Sequence, residues 1–195
     1  RGYREEPDIA DDSQTATYAA LGLFIDNWRW QDVPFNLRSG KKLNSKITEI
    51  AICFKHVPHM LFPLKTGEEI TANVLSLCLQ PDEGIHLRFE TKRPGTGMET
   101  RTDEMDFHYP EGLAGKLPEA YERLLLDALQ GDASLFARAD EIEFAWSLID
   151  PILERWDSRD APPLMLYDPG SWGPENTADF PFGSEREWIH LCGKH

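Results

Sequence analysis

Four short stretches of the chain alternate apolar and polar side chains. Ile50, Ile52 and Phe54 alternate with Ala51 and Cys53, and Leu75, Leu77 and Leu79 with Ser76 and Cys78. Ile85, Leu87 and Phe89 alternate with His86, Arg88 and Glu90, and Met105, Phe107 and Tyr109 with Asp106 and His108. A period of two puts each apolar set on one face of a sheet. Gln80-Pro81-Asp82-Glu83-Gly84 has the composition of a turn, so the second and third strands are expected to form a hairpin. Short links between successive strands imply a largely antiparallel sheet. Residues 15–25 are rich in β-branched and aromatic side chains and read as a further buried strand, with helix left open by their alanines.

After residue 117 the period changes. Pro118 opens a run with Tyr121, Leu124, Leu125, Ala128 and Leu129 on one face, and Gly131 closes it, so an amphipathic helix is expected. A second helix carries Ile142, Ala145, Trp146, Ile149, Leu153 and Trp156 on one stripe, with Asp140 or a neighbour as its cap. Pro151 inside it removes a backbone bond, and a kink is expected there. The remainder is punctuated by Pro162, Pro163, Pro169, Gly170, Gly173, Pro174 and Pro181, and reads as loop wrapping the domain. Strands followed by helices imply an α+β domain: a large, mainly antiparallel sheet with helices packed on one face. The sheet's other face must be solvated or covered by a partner.

The formal charge of -14 changes the picture of partners. It argues against nucleic acid and anionic membrane surfaces, both of which are bound through clustered Lys and Arg. Trp28 and Trp30 flank Arg29, but the acidic balance argues against base stacking there, and Trp146 and Trp156 read as core. Three cysteines, Cys53, Cys78 and Cys192, lie far apart without a C-x-x-C pair. A disulfide framework or zinc site is therefore not expected, and a reducing, cytoplasmic location is the simpler reading. No apolar run is long enough to span a bilayer, and the first residues lack both a signal core and Met, as in a trimmed chain.

Against that charge, one basic island stands out. Arg38, Lys41, Lys42 and Lys46 fall within nine residues without an acid among them, in Val33-Pro34-Phe35-Asn36-Leu37-Arg38-Ser39-Gly40-Lys41-Lys42-Leu43-Asn44-Ser45-Lys46. Cations converging from one loop, with Asn44 and Ser45 as hydrogen-bonding neighbours, suit a phosphate monoester. The same spacing also fits a solvated turn whose lysines pair with nearby acids.

The stretch Ile25-Asp26-Asn27-Trp28-Arg29-Trp30, followed by Val33-Pro34-Phe35-x-Leu37-Arg38-x-Gly40-Lys41-x-Leu43, resembles the C-terminal half of glucose-6-phosphate dehydrogenases of the bacterial type. The likeness continues through Thr15-Ala16-Thr17-Tyr18-Ala19-Ala20, Leu79-Gln80-Pro81-Asp82-Glu83, Pro118-Glu119-Ala120-Tyr121-Glu122-Arg123-Leu124 and Gly170-Ser171-Trp172-Gly173-Pro174. It covers essentially all 195 residues in order. The resemblance implies a fold like the C-terminal domain of glyceraldehyde-3-phosphate dehydrogenase, with a sheet face that pairs subunits into a homodimer or tetramer. It implies a share in NADP-dependent oxidation of glucose 6-phosphate to 6-phosphogluconolactone, the entry to the pentose phosphate pathway. By position, Lys41 matches a lysine that reaches the sugar phosphate, Lys46 a second basic position of that loop, and Gln80 a glutamine near the substrate. Arg38 matches an arginine that touches a second, structural NADP in some members, but Cys78 and His86 stand where those members carry arginine and tyrosine.

The family's phosphate-cradling G-x-x-G-D-L loop and its Asp-His general base belong to an N-terminal Rossmann domain, which this chain is expected to lack. NADP is accordingly expected to bind mainly outside these residues, and the chain alone is expected to be inactive. Oxidising a hemiacetal hydroxyl needs a proton acceptor beside the nicotinamide. His56, His59, His86, His108, His190 and His195 lack the motif that supplies it; His86 and His108 read as residues of a polar sheet face. His56-x-x-His59 shows no third ligand, so no metal is expected. Ser39 and Ser171 have no nucleophile context, Cys53 and Cys78 read as small sheet residues, and no catalytic residue is assigned. A different class of reading is a non-catalytic assembly subunit that uses the same fold.

Overall fold

The computed structural model describes residues 2–57, 71–95, 97, 99–109, 120–175 and 188–192. Six strands and two helices follow in chain order: β1 Tyr18–Phe24, β2 Pro34–Gly40, β3 Thr48–Cys53, β4 Val74–Gln80, β5 Gly84–Lys92, β6 Thr100–His108, α1 Ala120–Gln130 and α2 Ala139–Trp156. All strand pairs are antiparallel. The α+β class and the β4–β5 hairpin are as the alternation implies. The strands divide, however, into a β1–β2 ribbon and a four-stranded sheet in the order β3-β4-β5-β6.

The chain forms two compact units. One comprises residues 1–8, 17–109 and 166–195 and holds both sheets; the other comprises residues 9–16 and 110–165 and holds both helices.

Register explains what each sheet face carries. Ile50 pairs with Leu77, Leu77 with Ile85, and Ile85 with Phe107; Ile52, Leu75, Leu87 and Met105 line up in the same way. These two cross-strand rows make one apolar face. The opposite face carries Glu49, Cys78, Gly84 and His108 in one row and Ala51, Ser76, His86 and Asp106 in the next.

Alternation predicts the apolar rows as the buried ones, and the structure reverses this. Ile50, Ile85, Met105 and Phe107 are exposed, with Phe107 still 48% open. Val74, Ser76, Cys78 and His86 are buried instead, and Cys192 of the C-terminal segment lies against Ser76, Cys78 and His86. His86 is thus not a residue of a solvated face. It is 4% exposed, its Nδ1 lies 2.5 Å from Asp106 Oδ1, and its ring meets His108 edge-on. Gly84 is required in this row, because a Cβ there would come within 2.6 Å of the Phe107 carbonyl oxygen.

In the helical unit, α1 ends as its glycine implies. Gly131 has φ +73, Asp132 N–H donates to the Asp127 carbonyl and Gly131 N–H to that of Ala128, which is a Schellman closure. Pro118 lies outside the described residues. In α2 the expected cap is not made. Arg138 occupies the cap position without a side-chain bond, and Asp140 receives the Arg138 guanidinium at 2.8 and 3.0 Å. The helix runs through Pro151 to Trp156, and Trp146, read as core, is exposed.

Candidate functional site

The basic island is half strand and half loop. Leu37 pairs with Leu21 and Arg38 with Ala20 on β1, so the first part of the segment is β2 and not loop. The strand ends at Gly40, where a Cβ would lie 2.8 Å from the Tyr18 ring and 3.0 Å from Leu43. Only a glycine lets the chain turn this tightly against β1. Lys42 follows with φ +48.

The turn is held by its backbone. Lys41 N–H donates to the Thr17 carbonyl at 2.8 Å, and the Lys41 carbonyl accepts from Tyr167 Oη at 2.8 Å. Gly170 N–H donates to the Lys42 carbonyl at 2.8 Å, and Asn44 N–H to that of Ser171 at 2.9 Å. The Asn44 amide, oriented to suit its neighbours, donates to the Gly170 carbonyl at 3.2 Å and accepts from Trp172 Nε1 at 3.3 Å. Residues 167–172 thus strap the lysine loop to the ribbon, as the expected wrapping of the tail requires.

The cations on this fixed frame differ in use. Lys42 pairs with Glu6 at 2.9 Å, which is the solvated-turn reading. Lys41 and Lys46 are exposed, and among the described residues neither has an acid within ion-pair distance. Gln80, also exposed, ends β4 opposite Thr48, two residues beyond Lys46. Register therefore brings Lys46 and Gln80 to one edge of the sheet, at the exit of the lysine loop. In an acidic chain, an ammonium group without an ion pair among the described residues, at the same edge as an amide, can receive an anionic ester.

Arg38 points elsewhere. Its guanidinium lies 5.2 Å from the Trp172 ring and 4.6 Å from the Trp188 ring. Nη2 donates to His190 at 2.5 Å, and His190 stacks on Trp172 at 3.9 Å and 17°. Burial lowers the pKa of Arg38, while Tyr18 and Glu49 oppose that shift. Arg38 remains a cation and fastens the C-terminal segment to the ribbon.

The buried polar row was not legible as a cluster in the sequence. Glu49 Oε1 accepts from the Ser76 hydroxyl at 2.5 Å and from Leu191 N–H at 3.0 Å. Cys78 and Cys192 are joined as a disulfide across 114 residues, contrary to the expectation of three separate thiols. The returning segment brings their Cα atoms to 5.8 Å, a proximity that spacing along the chain does not encode. Ligand atoms of Cys78, His86 and Cys192 lie within 4.8 Å of one another, but sulfurs engaged with each other do not ligate a metal. His56 is exposed and His59 lies outside the described residues. Gly170 and Gly173 take φ +86 and +113 in an irregular turn leading to Pro174. That turn follows no described strand and Pro174 comes directly after Gly173, so it does not fit a dinucleotide phosphate.

Among the described residues no helix is long and apolar enough to cross a membrane. The chain matches the model of the family "Glucose-6-phosphate dehydrogenase, C-terminal domain" over residues 1–189. It is 45% identical over 187 residues to glucose-6-phosphate 1-dehydrogenase 2 of Mycobacterium tuberculosis, covering 96% of this chain and 36% of that protein. With glucose-6-phosphate 1-dehydrogenase of Treponema pallidum it shares 45% over 190 residues, covering 97% and 37%. A solved glucose-6-phosphate dehydrogenase in complex with its substrate glucose-6-phosphate superposes with a TM-score of 0.81 at 38% identity, over 89% of this chain and 35% of that one. The chain thus spans little more than a third of the length of these relatives. By sequence and by fold, it belongs to the C-terminal domain family of glucose-6-phosphate dehydrogenases.

Proposed function

We propose that this chain is the substrate-positioning and subunit-pairing domain of an NADP-dependent dehydrogenase that oxidises glucose 6-phosphate to 6-phosphogluconolactone. The observation that carries this reading is the fixed loop that carries Lys41 and Lys46, neither in an ion pair among the described residues, with Lys46 two residues before the strand position opposite Gln80. The substrate complex of a similar enzyme supports the same ligand. Lys41 and Lys46 hold the phosphate as charged donors, and Gln80 offers amide contacts to the sugar. Holding the sugar by its far end orients C1 and its hydroxyl for groups supplied by a separate dinucleotide-binding domain. Arg38, enclosed by Trp172, Trp188 and His190, is not given the accessory phosphate contact expected of it; it fastens the C-terminal segment instead.

The apolar face of the four-stranded sheet is the surface for a second copy, giving a homodimer or a tetramer built from it. We place the enzyme in the cytoplasm, with its sugar-phosphate substrate. A purely assembly role is favoured by the apolar face alone and leaves Lys41 and Lys46 without a use.

The division of labour is tested by the initial rate of NADP reduction with saturating glucose 6-phosphate. The purified chain, shown folded by circular dichroism, is expected to give no rate above background. A real rate would place the proton and hydride chemistry within these residues and overturn the assignment.

A further inference from the structure

We propose that Cys78 and Cys192 form a thiol–disulfide latch that holds the C-terminal segment on the sheet and, through Arg38, sets the posture of the lysine loop. This rests on the reading of that loop as the phosphate site.

The two cysteines sit where a latch would act. Cys78 is central on β4, between Glu49 of β3 and Gly84 of β5, and Cys192 belongs to the last described stretch of chain. Their Cα separation of 5.8 Å suits a bridge without backbone movement. Four contacts run back from the bridge in sequence. Cys192 bonds Cys78, Leu191 N–H donates to Glu49, His190 accepts from Arg38, and Trp188 lies against the Arg38 guanidinium. Arg38 stands three residues before Lys41, and Trp172, which stacks on His190, also donates to Asn44. A covalent bond at one end and the phosphate loop at the other are therefore joined by a continuous chain of contacts. The bridge is the covalent tie among these contacts; the others described are the Leu191–Glu49 and Arg38–His190 hydrogen bonds and the packing of Trp188 on Arg38 and of Trp172 on His190.

Cysteine pairs bonded in reducing compartments are generally exchangeable ones. Exchange with a dithiol balances as follows. A thiolate of the reductant attacks one sulfur, the Cys78–Cys192 bond breaks, and a mixed disulfide forms. The second thiol of the reductant resolves it. The protein gains two electrons and two protons as two thiols, and the reductant leaves as its cyclic disulfide. A His86 ring nitrogen within 4.8 Å of both sulfurs is placed to hydrogen-bond the thiolate as it is released. Both sulfurs are buried, so exchange waits on lifting of the segment.

The test uses the complete enzyme, non-reduced and after dithiothreitol. Peptide mapping should recover a Cys78–Cys192 cross-linked peptide from the non-reduced protein. Amide exchange in the peptide containing Trp188–Cys192 should rise at least tenfold on reduction. A Cys78→Ser variant should exchange fast with or without reductant, and KM for glucose 6-phosphate should rise several-fold in both reduced enzyme and variant. If the variant does not fold, reduction of the unmodified enzyme gives the same comparison. Free, alkylatable thiols in the air-oxidised folded enzyme would overturn the proposal. So would stoichiometric zinc bound through Cys78 and Cys192, which would make the cluster a metal site. Faster exchange with an unchanged KM would overturn the link to the loop, even where Lys41→Ala still confirms the phosphate site. An enzyme indifferent to Lys41→Ala would remove the phosphate reading, while exchange would still report on the latch.

Discussion

If the apolar face of the four-stranded sheet pairs two copies of the enzyme, Phe107→Ser should separate them without unfolding either. Phe107 ends the row Ile50, Leu77, Ile85 and Phe107, and its only close ring partner among the described residues is Tyr109, edge-on at 5.2 Å. An aromatic side chain offers about 150–250 Å² of surface. With 48% of the residue still open, roughly 100 Å² remains for a partner to cover. At about 25 cal/mol per Å² this contributes roughly 2.5 kcal/mol per copy. A two-fold interface uses the same patch twice, so the loss is about 5 kcal/mol, or three to four powers of ten in Kd. Sedimentation equilibrium over a range of concentrations reads this directly, with circular dichroism as the control for folding. A variant that pairs with unchanged Kd would show that this face meets something other than a second copy.

Two further outcomes follow from side chains on the page. Arg38→Ala removes a cation held between two indoles and its bond to His190, and should destabilise the sheet unit by about 2 kcal/mol in urea unfolding. Arg38→Lys should recover less than half of this, because an ammonium lacks the planar fork that stacks. Asp103 titrates below the ordinary carboxylate range, chiefly because the Thr91 hydroxyl donates to its ionised form, with Arg101 assisting. A depressed folded-state pKa stabilises above the ordinary Asp value near about 4 and is lost as pH falls through the lower folded value. Thr91→Val should move the Asp103 midpoint upward in an NMR titration, and an unmoved midpoint would assign the shift to Arg101.

Much of the fold was legible because alternation is a local property. Each of the strands β3 to β5 begins and ends within two residues of an alternating stretch, β6 starts five residues before its own, and Gly131 closes α1 as its conformational freedom allows. Which face of a sheet is buried is not local. Ser76 and His86 lie under a segment that returns from more than 100 residues away, while Ile85 and Phe107 face outward. The disulfide was hidden for the same reason, since Cys78 and Cys192 meet only once the tail has returned. Asp140 misled because an acid in the first turn suits the helix dipole as well as a cap does, and here it binds Arg138. At the candidate site, charge marked the basic island and the family resemblance picked Lys41 and Lys46 out of it, whereas the indole stack that draws Arg38 away depends on Trp172 and Trp188, far along the chain. The alternation of Phe35 and Leu37 with Asn36 and Arg38 was the available signal that half of the basic segment is a strand.

The account's central claim is that this domain holds the substrate's phosphate, and steady-state kinetics of Lys41→Ala in the complete enzyme test it most directly. Loss of a charged hydrogen-bond donor to a phosphate costs about 1.5–3 kcal/mol. The account therefore predicts that KM for glucose 6-phosphate rises roughly 10- to 100-fold while KM for NADP moves little. An unchanged KM for the sugar phosphate in a folded variant would contradict it and remove Lys41 from the site.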